Sequence, residues 1–152
     1  MLLVRDGLLR LDDEVTAFYP EIPYPDVTIR HLLTHTGGIP ETYDDNMILS
    51  IYQEEKRIPG SDIVIRFLEK SGEKPRFAPG EKFEYTNGGY NLLTETVEKV
   101  YGVPFKEYLR ENIFEPAGMY GTGVYHICTN GIPHDNFVRN MVQRTAAWCP
   151  MV

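Results

Sequence analysis

Tyr85, Thr86 and Asn87 form the stretch of this 152-residue sequence whose residue types and spacing are best suited to chemistry. A phenol can act in proton transfer when nearby cations lower its pKa from about 10, and an amide two residues later can hold a substrate carbonyl and a catalytic lysine. The same residues also suit a structural role, because Asn87 is a natural N-cap for the helix that follows and Tyr85 can simply pack. Residue types alone leave both interpretations open.

His31 and His35 are four residues apart on a predicted helix, the spacing that places two imidazoles on one face for a zinc ion. Position 32 is leucine, where a zinc hydrolase of that type needs glutamate as its general base, and no third ligand follows at an obvious spacing. We therefore expect a packed, hydrogen-bonded histidine pair and no metal.

Ser71 and Lys74 match the S-x-x-K pattern of penicillin-recognising enzymes, in which the serine is the nucleophile and the lysine takes its proton. That geometry requires a helix that begins at the serine. Gly72 follows Ser71 and Pro75 follows Lys74, which disfavours a helix here, so we predict a polar loop. The two remaining serines have no lysine three residues later: Ser50 and Ser61.

Four stretches resemble consecutive signatures of the serine β-lactamase-related hydrolases, a family that includes class C β-lactamases, D-alanyl-D-alanine carboxypeptidases, D-aminopeptidases and carboxylesterases. They occur in the family's order and together extend roughly from Leu3 to Val124. The four are Gly7-Leu-Leu-Arg-Leu-Asp-Asp13, Tyr24-Pro-Asp-Val-Thr-Ile-Arg-His-Leu-Leu-Thr-His-Thr-Gly-Gly-Ile-Pro40, Phe77-Ala-Pro-Gly-Glu-Lys-Phe-Glu-Tyr-Thr-Asn-Gly-Gly-Tyr90 and Asn112-Ile-Phe-Glu-Pro-Ala-Gly-Met119.

The resemblance implies catalytic roles for Tyr85 and Asn87, which match the family's Y-x-N motif. In the family the tyrosine is the general base or its partner, faces the cleft between lobes, and has the asparagine beside it, in contact with the lysine and the substrate. The nucleophilic serine and its lysine belong upstream of the Gly7 signature, and a Lys-Thr-Gly or His-x-Gly triad belongs after Val152. His35-Thr36-Gly37 matches that triad as a string but lies within a signature that is a structural loop in the family.

Residues 1–152 are therefore expected to be a partial β-lactamase-related domain that lacks the nucleophile and is inactive alone. The implied chemistry is acyl transfer through an acyl-enzyme on a β-lactam, a D-amino-acid peptide or an ester, without metal or organic cofactor. Any export signal would lie upstream of Met1. Two alternatives stay open: a catalytically dead ligand-binding or regulatory relative, and a small independent helical domain.

Short helices separated by proline and glycine must position these residues. A type II turn is predicted at Ala78-Pro79-Gly80-Glu81. The longest apolar stripe, which joins Leu93, Val97 and Val100, is expected to be left exposed by the missing sheet. Helices are predicted from Asp12 to Phe18, over Ile29 to His35 with Thr28 as cap, and after Asp44. Three more are predicted: one that Ser61 opens and Gly72 follows, one from Asn87 through Val100 that Gly102 stops, and a shorter one that starts at Pro104.

The helical period fades after Tyr120, where Thr122 to Cys128 and Phe137 to Gln143 are predicted to form a strand–turn–strand unit around Asn130-Gly131. The predicted fold class is thus mainly α, a helical lobe with a little β near the C-terminus. The resemblance makes it a fragment of the α/β (α+β) β-lactamase/transpeptidase-like fold.

Composition excludes several classes of protein. The net charge of −7 and the pI of about 5.1 provide no broad positive field, so we expect no nucleic-acid partner and no anionic-membrane partner. No apolar run exceeds four residues, far short of the roughly 18 that span a bilayer. Cys128 and Cys149 show no zinc-ribbon or disulfide-framework spacing. The expected partner of the full-length protein is a small-molecule, peptide or ester substrate.

Overall fold

Short helices joined by loops make up this computed structural model, which describes residues 1–41, 45–56 and 60–124. Within those ranges the β pairing is limited to one isolated antiparallel bridge between Glu14 and Thr28. The mainly α prediction is therefore confirmed there, while the predicted strand–turn–strand unit lies almost entirely outside the described residues. The helices are α1 (Leu2–Arg5), a 3₁₀ turn (Val15–Ala17), α2 (Ile29–Leu33), α3 (Asp45–Glu55), α4 (Ile63–Ser71), α5 (Asn87–Tyr101), α6 (Phe105–Leu109) and a π-helical turn (Arg110–Phe114).

The chain divides into two compact units, Met1–Phe105 and Lys106–Val152. In the first unit, α5 packs against both α2 and α4. The core collects apolar side chains from loops as well as helices, because most of the helices are too short to bury a full stripe. Its buried members are Val15, Tyr19, Ile22, Tyr24, Val27, Leu32, Ile39, Val64, Leu68 and Leu92.

The buried face of α5 differs from the predicted stripe. Leu92 and Thr96 are fully buried, whereas Leu93, Val97 and Val100 are only partly buried. Of these three, Leu93 packs against the core. The patch that was predicted to be exposed is therefore only partly exposed. Gly88 and Gly89 are buried at the start of α5, and a Cβ on Gly89 would lie in ordinary contact with Leu32 of α2, at 3.8 Å. The Thr96 hydroxyl donates to the Leu92 carbonyl at 2.7 Å, so this buried polar group is satisfied.

Glycines end the two amphipathic helices of this unit as predicted. Gly72 after α4 and Gly102 after α5 adopt left-handed φ values of 60° and 84°. Each donates its backbone N–H to the carbonyl four residues earlier. The start of α4 was predicted two residues too early, since the helix begins at Ile63 rather than Ser61.

The predicted helix from Asp12 to Phe18 is instead a 3₁₀ turn over Val15–Ala17. The Val15 N–H donates to the Val27 carbonyl at 2.8 Å, and the Ile29 N–H donates to the Asp13 carbonyl at 3.0 Å. This pairing with the segment before α2 occupies groups that a longer helix would need. Local cap signals could not reveal it, because the partner lies more than ten residues away.

The second unit contains most of α6 and the π-helical turn. Arg110 forms ion pairs with three nearby carboxylates, those of Glu107 at 2.9 Å, Glu111 at 3.0 Å and Glu115 at 2.7 Å. The hydrogen bonds to Glu107 and Glu115 raise the pKa of Arg110. None of the helices in the described ranges combines the length and the apolar character that crossing a membrane requires.

Candidate active site

The loop after α2 holds the segment that carries Tyr85. Residues 34–38 lie along residues 76–84, and the predicted turn at 78–81 is present, with Gly80 at φ 83° and the Glu81 N–H donating to the Ala78 carbonyl at 3.0 Å. This anchoring fixes the backbone immediately before the Y-x-N residues. The hydrogen bonds between the two segments are Glu84 N–H to His35 O at 2.9 Å, Gly80 N–H to Thr36 O at 2.8 Å and Arg76 N–H to Gly38 O at 2.9 Å.

Gly38 permits the closest approach between these segments. Its φ of 67° is left-handed, and a Cβ at this position would lie 2.7 Å from the Phe77 carbonyl oxygen. Any side chain would therefore both strain the backbone and push the two segments apart. The glycine in the Leu-Thr-His-Thr-Gly-Gly signature is thus explained by contact with the segment that leads to Tyr85.

Tyr85 and Asn87 lie side by side at the start of α5, as predicted. The Tyr85 side chain is 64% exposed, and its hydroxyl donates to Asn87 Oδ1 at 3.2 Å. Asn87 is the first residue of α5 and not its N-cap; the cap position is Thr86, which has extended backbone and makes no side-chain cap hydrogen bond. The structural alternative for Asn87 was therefore wrong, and its side chain is engaged with Tyr85 instead.

Glu41 holds the other side of the Asn87 amide. Its Oε2 accepts from the Asn87 backbone N–H at 3.2 Å and from Asn87 Nδ2 at 3.4 Å. The side-chain amide is thereby oriented with its oxygen toward Tyr85 and its nitrogen toward a carboxylate. No sequence signal identified Glu41, because it precedes Asn87 by 46 residues.

An aromatic cluster surrounds His35. The imidazole stacks on Tyr90 with ring centroids 4.9 Å apart and tilts against Tyr85 at 4.7 Å, while Phe83 meets it edge-on at 5.8 Å. Tyr90 is tied down in turn, because its hydroxyl donates to the Leu33 carbonyl at 3.3 Å. The cluster fixes the Tyr85 ring against the α2 loop. The sequence signal for this cluster was the presence of His35 in the 24–40 signature and of Tyr85 and Tyr90 in the 77–90 signature.

His31 and His35 do not form the helical pair that the spacing suggested. Helix α2 ends at Leu33, and His35 lies beyond it with a left-handed φ of 55°. His31 Nδ1 accepts from the Thr28 N–H at 3.2 Å, and the Thr28 hydroxyl accepts from the His31 N–H, which together make a capping box. Across the described residues, no three His, Cys, Asp or Glu side chains group in a way that suits a metal ion. The absence of a metal site stays a prediction.

The serines are placed away from any nucleophile geometry. Ser71 is the last residue of α4 rather than a loop residue, and its hydroxyl accepts from the Glu73 N–H at 3.2 Å. Lys74 follows in an exposed, non-helical segment, so the S-x-x-K match has no helical turn to join its two ends. The hydroxyls of the two other serines each donate to a carboxylate: Ser50 to Glu54 and Ser61 to Glu95.

The charged groups near Tyr85 are mostly paired with each other. Arg76 donates to Glu84 at 2.5 Å, and Lys82 lies 3.6 Å from the same carboxylate. This hydrogen bond from Arg76 holds the pKa of Glu84 below its usual range. The Arg76–Glu84 pair therefore links two residues of the segment that leads to Tyr85, and the Arg76 guanidinium is bonded to Glu84 rather than to the Tyr85 phenol.

The order of the helices, the docked loop and the exposed tyrosine–asparagine pair define a helical lobe that carries a Y-x-N site. The model of the Beta-lactamase family matches residues 1–126, and the chain belongs to that family. It is 37% identical over 126 residues to Penicillin-binding protein 4* of Bacillus subtilis, a match that covers 83% of this chain and 27% of that protein.

Solved structures show the same relationship. A penicillin binding protein from Bacillus halodurans is 32% identical with a TM-score of 0.68, over 86% of this chain and 40% of that one. A D-amino acid amidase from Ochrobactrum anthropi is 28% identical with a TM-score of 0.61, over 77% of this chain and 31% of that one. The chain thus spans between a quarter and two fifths of the length of these relatives. Its described residues are consistent with a fragment of the β-lactamase/transpeptidase-like fold.

Proposed function

We propose that this chain is the Tyr85-bearing helical lobe of a serine hydrolase that works by acyl transfer on a β-lactam, a D-amino-acid peptide or an ester. The observation that carries the proposal is the hydrogen-bonded Tyr85–Asn87 pair, exposed at the start of the longest helix. Two anchors preorganise it, the Glu41 carboxylate on Asn87 and the His35 ring on Tyr85. Preorganised side chains are what acid–base and oxyanion chemistry require.

In the proposed reaction, Tyr85 takes part in moving the proton of a serine nucleophile, and Asn87 binds the substrate next to the reacting carbonyl. The Asn87 amide nitrogen has two hydrogens, of which Glu41 accepts one, so the second stays available to a substrate carbonyl. The serine attacks the carbonyl carbon, the leaving group takes a proton, and water then releases the acyl group. Serine and lysine come from outside this chain, because its own three serines lack the required geometry.

The names of the relatives support more than one of these substrate classes and do not single out one of them. One relative is named for binding penicillin and one structural neighbour for hydrolysing D-amino acid amides. The Tyr85–Asn87 pair suits either reaction, because both break a carbonyl–nitrogen bond through a tetrahedral intermediate.

A chimera tests the proposal. Residues 1–126 would replace the matching segment of Bacillus subtilis Penicillin-binding protein 4*, and acylation would be followed with a fluorescent penicillin. We expect the folded chimera to be labelled on its own serine. A chimera that melts cooperatively like the parent but takes up no label would contradict the proposal, since the lobe would then fail to support acyl transfer.

A further inference from the structure

We propose that Asn87 is a site of spontaneous deamidation to aspartate and isoaspartate, and that its hydrogen bonds with Tyr85 and Glu41 protect it from this reaction. The inference goes beyond the proposed function, because it depends on the contacts of Asn87 and not on catalysis by them. The modification converts a neutral amide at the start of α5 into a carboxylate.

The first reason is the residue that follows Asn87. Gly88 has no side chain, so nothing on it obstructs attack by its backbone nitrogen on the Asn87 carboxamide. Asn87 is also exposed, so water can reach it. The same tripeptide, Thr-Asn-Gly, occurs a second time at residues 129–131, outside the described residues. The chain therefore contains one local sequence in two places, and their reactivities can be compared.

The reaction needs only Asn87, Gly88 and water. The Gly88 nitrogen bonds to Asn87 Cγ and loses its proton, while the Cγ–Nδ2 bond breaks and Nδ2 leaves with a proton as ammonia. Water then opens the resulting succinimide ring at one of its two carbonyl carbons. Attack of water on Cγ restores the ordinary backbone and gives aspartate, whereas attack on the backbone carbonyl carbon of residue 87 gives isoaspartate.

The second reason is that the folded site holds the carboxamide at both ends. The Tyr85 hydroxyl donates to Asn87 Oδ1 at 3.2 Å, and Asn87 Nδ2 donates to Glu41 at 3.4 Å. Ring closure requires the Asn87 side chain to leave both partners and its backbone to leave the helical conformation of α5. The reaction therefore waits for a local opening, and each hydrogen bond lost on opening makes that state rarer. The start of a helix opens most easily, because its first N–H groups have no acceptor within the helix.

Deamidation disrupts the site in which it occurs. An ionised aspartate has no N–H to donate, so Glu41 loses the hydrogen bond from Nδ2 and faces a like charge instead. The second amide hydrogen, which the proposed function assigns to a substrate carbonyl, is lost as well. Isoaspartate also adds a methylene group to the backbone at the first residue of α5.

The test is prolonged incubation of the full chain at mildly alkaline pH, followed by tryptic digestion and mass spectrometry. Lys82 and Lys99 bound a tryptic peptide that contains both Asn87 and Asn91. Asn91 serves as the internal control, because it precedes Leu92, whose side chain obstructs the attacking nitrogen. Asn130 reports the same tripeptide at its second position, and incubation in denaturing urea gives the rates without folded structure.

We expect Asn87 and Asn130 to deamidate at similar rates in urea, and Asn87 to react at least about tenfold more slowly in the folded chain, since two hydrogen bonds must break. Tyr85→Phe removes one of these bonds and should speed the reaction at Asn87 about fivefold, which corresponds to about 1 kcal/mol. The rate at Asn130 should not change. The control Tyr120→Phe alters an exposed phenol and should change neither rate.

A second variant separates local opening from unfolding of the whole chain. Gly72→Ala strains the backbone at the end of α4 and leaves the contacts of Asn87 in place. We therefore expect it to lower stability without changing the rate at Asn87. If it speeds that reaction as much as Tyr85→Phe does, global unfolding sets the rate and the protective role is wrong.

Other results would also overturn the inference. If Asn87 reacts as fast in the folded chain as in urea, its hydrogen bonds give no protection. If Tyr85→Phe leaves the rate unchanged or lowers it, the Tyr85 hydroxyl does not protect the amide. If Asn87 reacts no faster than Asn91 even in urea, Asn87 is not a deamidation site.

Discussion

Replacing Gly38 with alanine should loosen the loop that holds the Tyr85 segment. Gly38 has a φ of 67°, and an added Cβ would lie 2.7 Å from the Phe77 carbonyl oxygen, which is backbone and cannot rotate away. The two segments must separate by more than half an ångström to reach ordinary contact. That movement also stretches the 2.9 Å hydrogen bond from the Arg76 N–H to the Gly38 carbonyl.

Three costs of the Gly38 substitution can be estimated separately. A left-handed backbone costs an alanine about 1 kcal/mol more than a glycine. Overpacking of this kind costs about 2 kcal/mol, and the weakened hydrogen bond costs about 1 kcal/mol. The total of about 4 kcal/mol is a large part of the roughly 5–15 kcal/mol that stabilises an ordinary domain. It corresponds to a fall in melting temperature of roughly 15 °C for a chain of this size.

Urea unfolding followed by circular dichroism measures this effect, with Gly72→Ala as the matched control. Gly72 shares the left-handed conformation, at φ 60°, but a Cβ there would meet no atom within 4 Å. We expect Gly72→Ala to cost only about 1 kcal/mol, so that the two variants differ by about 3 kcal/mol. Equal unfolding midpoints for the two variants would refute the described contact between the α2 loop and the Tyr85 segment.

Four further predictions concern stability, metal binding and acylation. Burial raises the pKa of Tyr24, whose hydroxyl has no hydrogen-bond partner among the described residues. Tyr24→Phe should therefore leave the urea midpoint at pH 7 unchanged or higher. It should also reduce the loss of stability above about pH 10, because the wild-type phenol ionises there when the chain unfolds. Because Arg76 lowers the pKa of Glu84, stability from this pair is present above about pH 4 and is lost as the pH falls further; Glu84→Gln should lower the midpoint at pH 7 and match the wild type near pH 2. Calorimetric titration with zinc should show no stoichiometric binding, whereas one micromolar site that is lost in His35→Ala would overturn that expectation. Incubation of the chain with a fluorescent penicillin should give no adduct by intact-mass analysis; an adduct that disappears in Ser71→Ala would reinstate the local S-x-x-K match.

Features that depend on a few adjacent residues were predictable from the sequence. Gly72 and Gly102 end their helices because a left-handed residue satisfies the last carbonyls, and this requirement is local. The turn at 78–81 is equally local, since proline and glycine supply its two central conformations. The surface position of Tyr85 and its contact with Asn87 followed from the family signature rather than from spacing.

Features that depend on distant partners were not predictable. Helix α2 stops before His35, whose backbone has a left-handed φ of 55°. The carbonyls of residues 35, 36 and 38 then accept from N–H groups of residues 76–84, which no local pattern could assign. Glu41 joins the site only when the chain brings it to Asn87. The buried face of α5 was misjudged because it is set by packing against α2 and α4, which are distant in the sequence, and the apolar stripe alone does not reveal it.

The acylation rate of the chimera, with and without the Tyr85 hydroxyl, tests the central claim most directly. Removing a positioned acid–base group typically slows a reaction by about 10²–10⁴-fold. Tyr85→Phe in the chimera should therefore slow labelling by fluorescent penicillin at least about 100-fold. The control, Tyr120→Phe, alters a side chain that is 84% exposed and should leave the rate unchanged. If Tyr85→Phe is labelled as fast as the parent chimera, the phenol has no part in acyl transfer and the account is wrong.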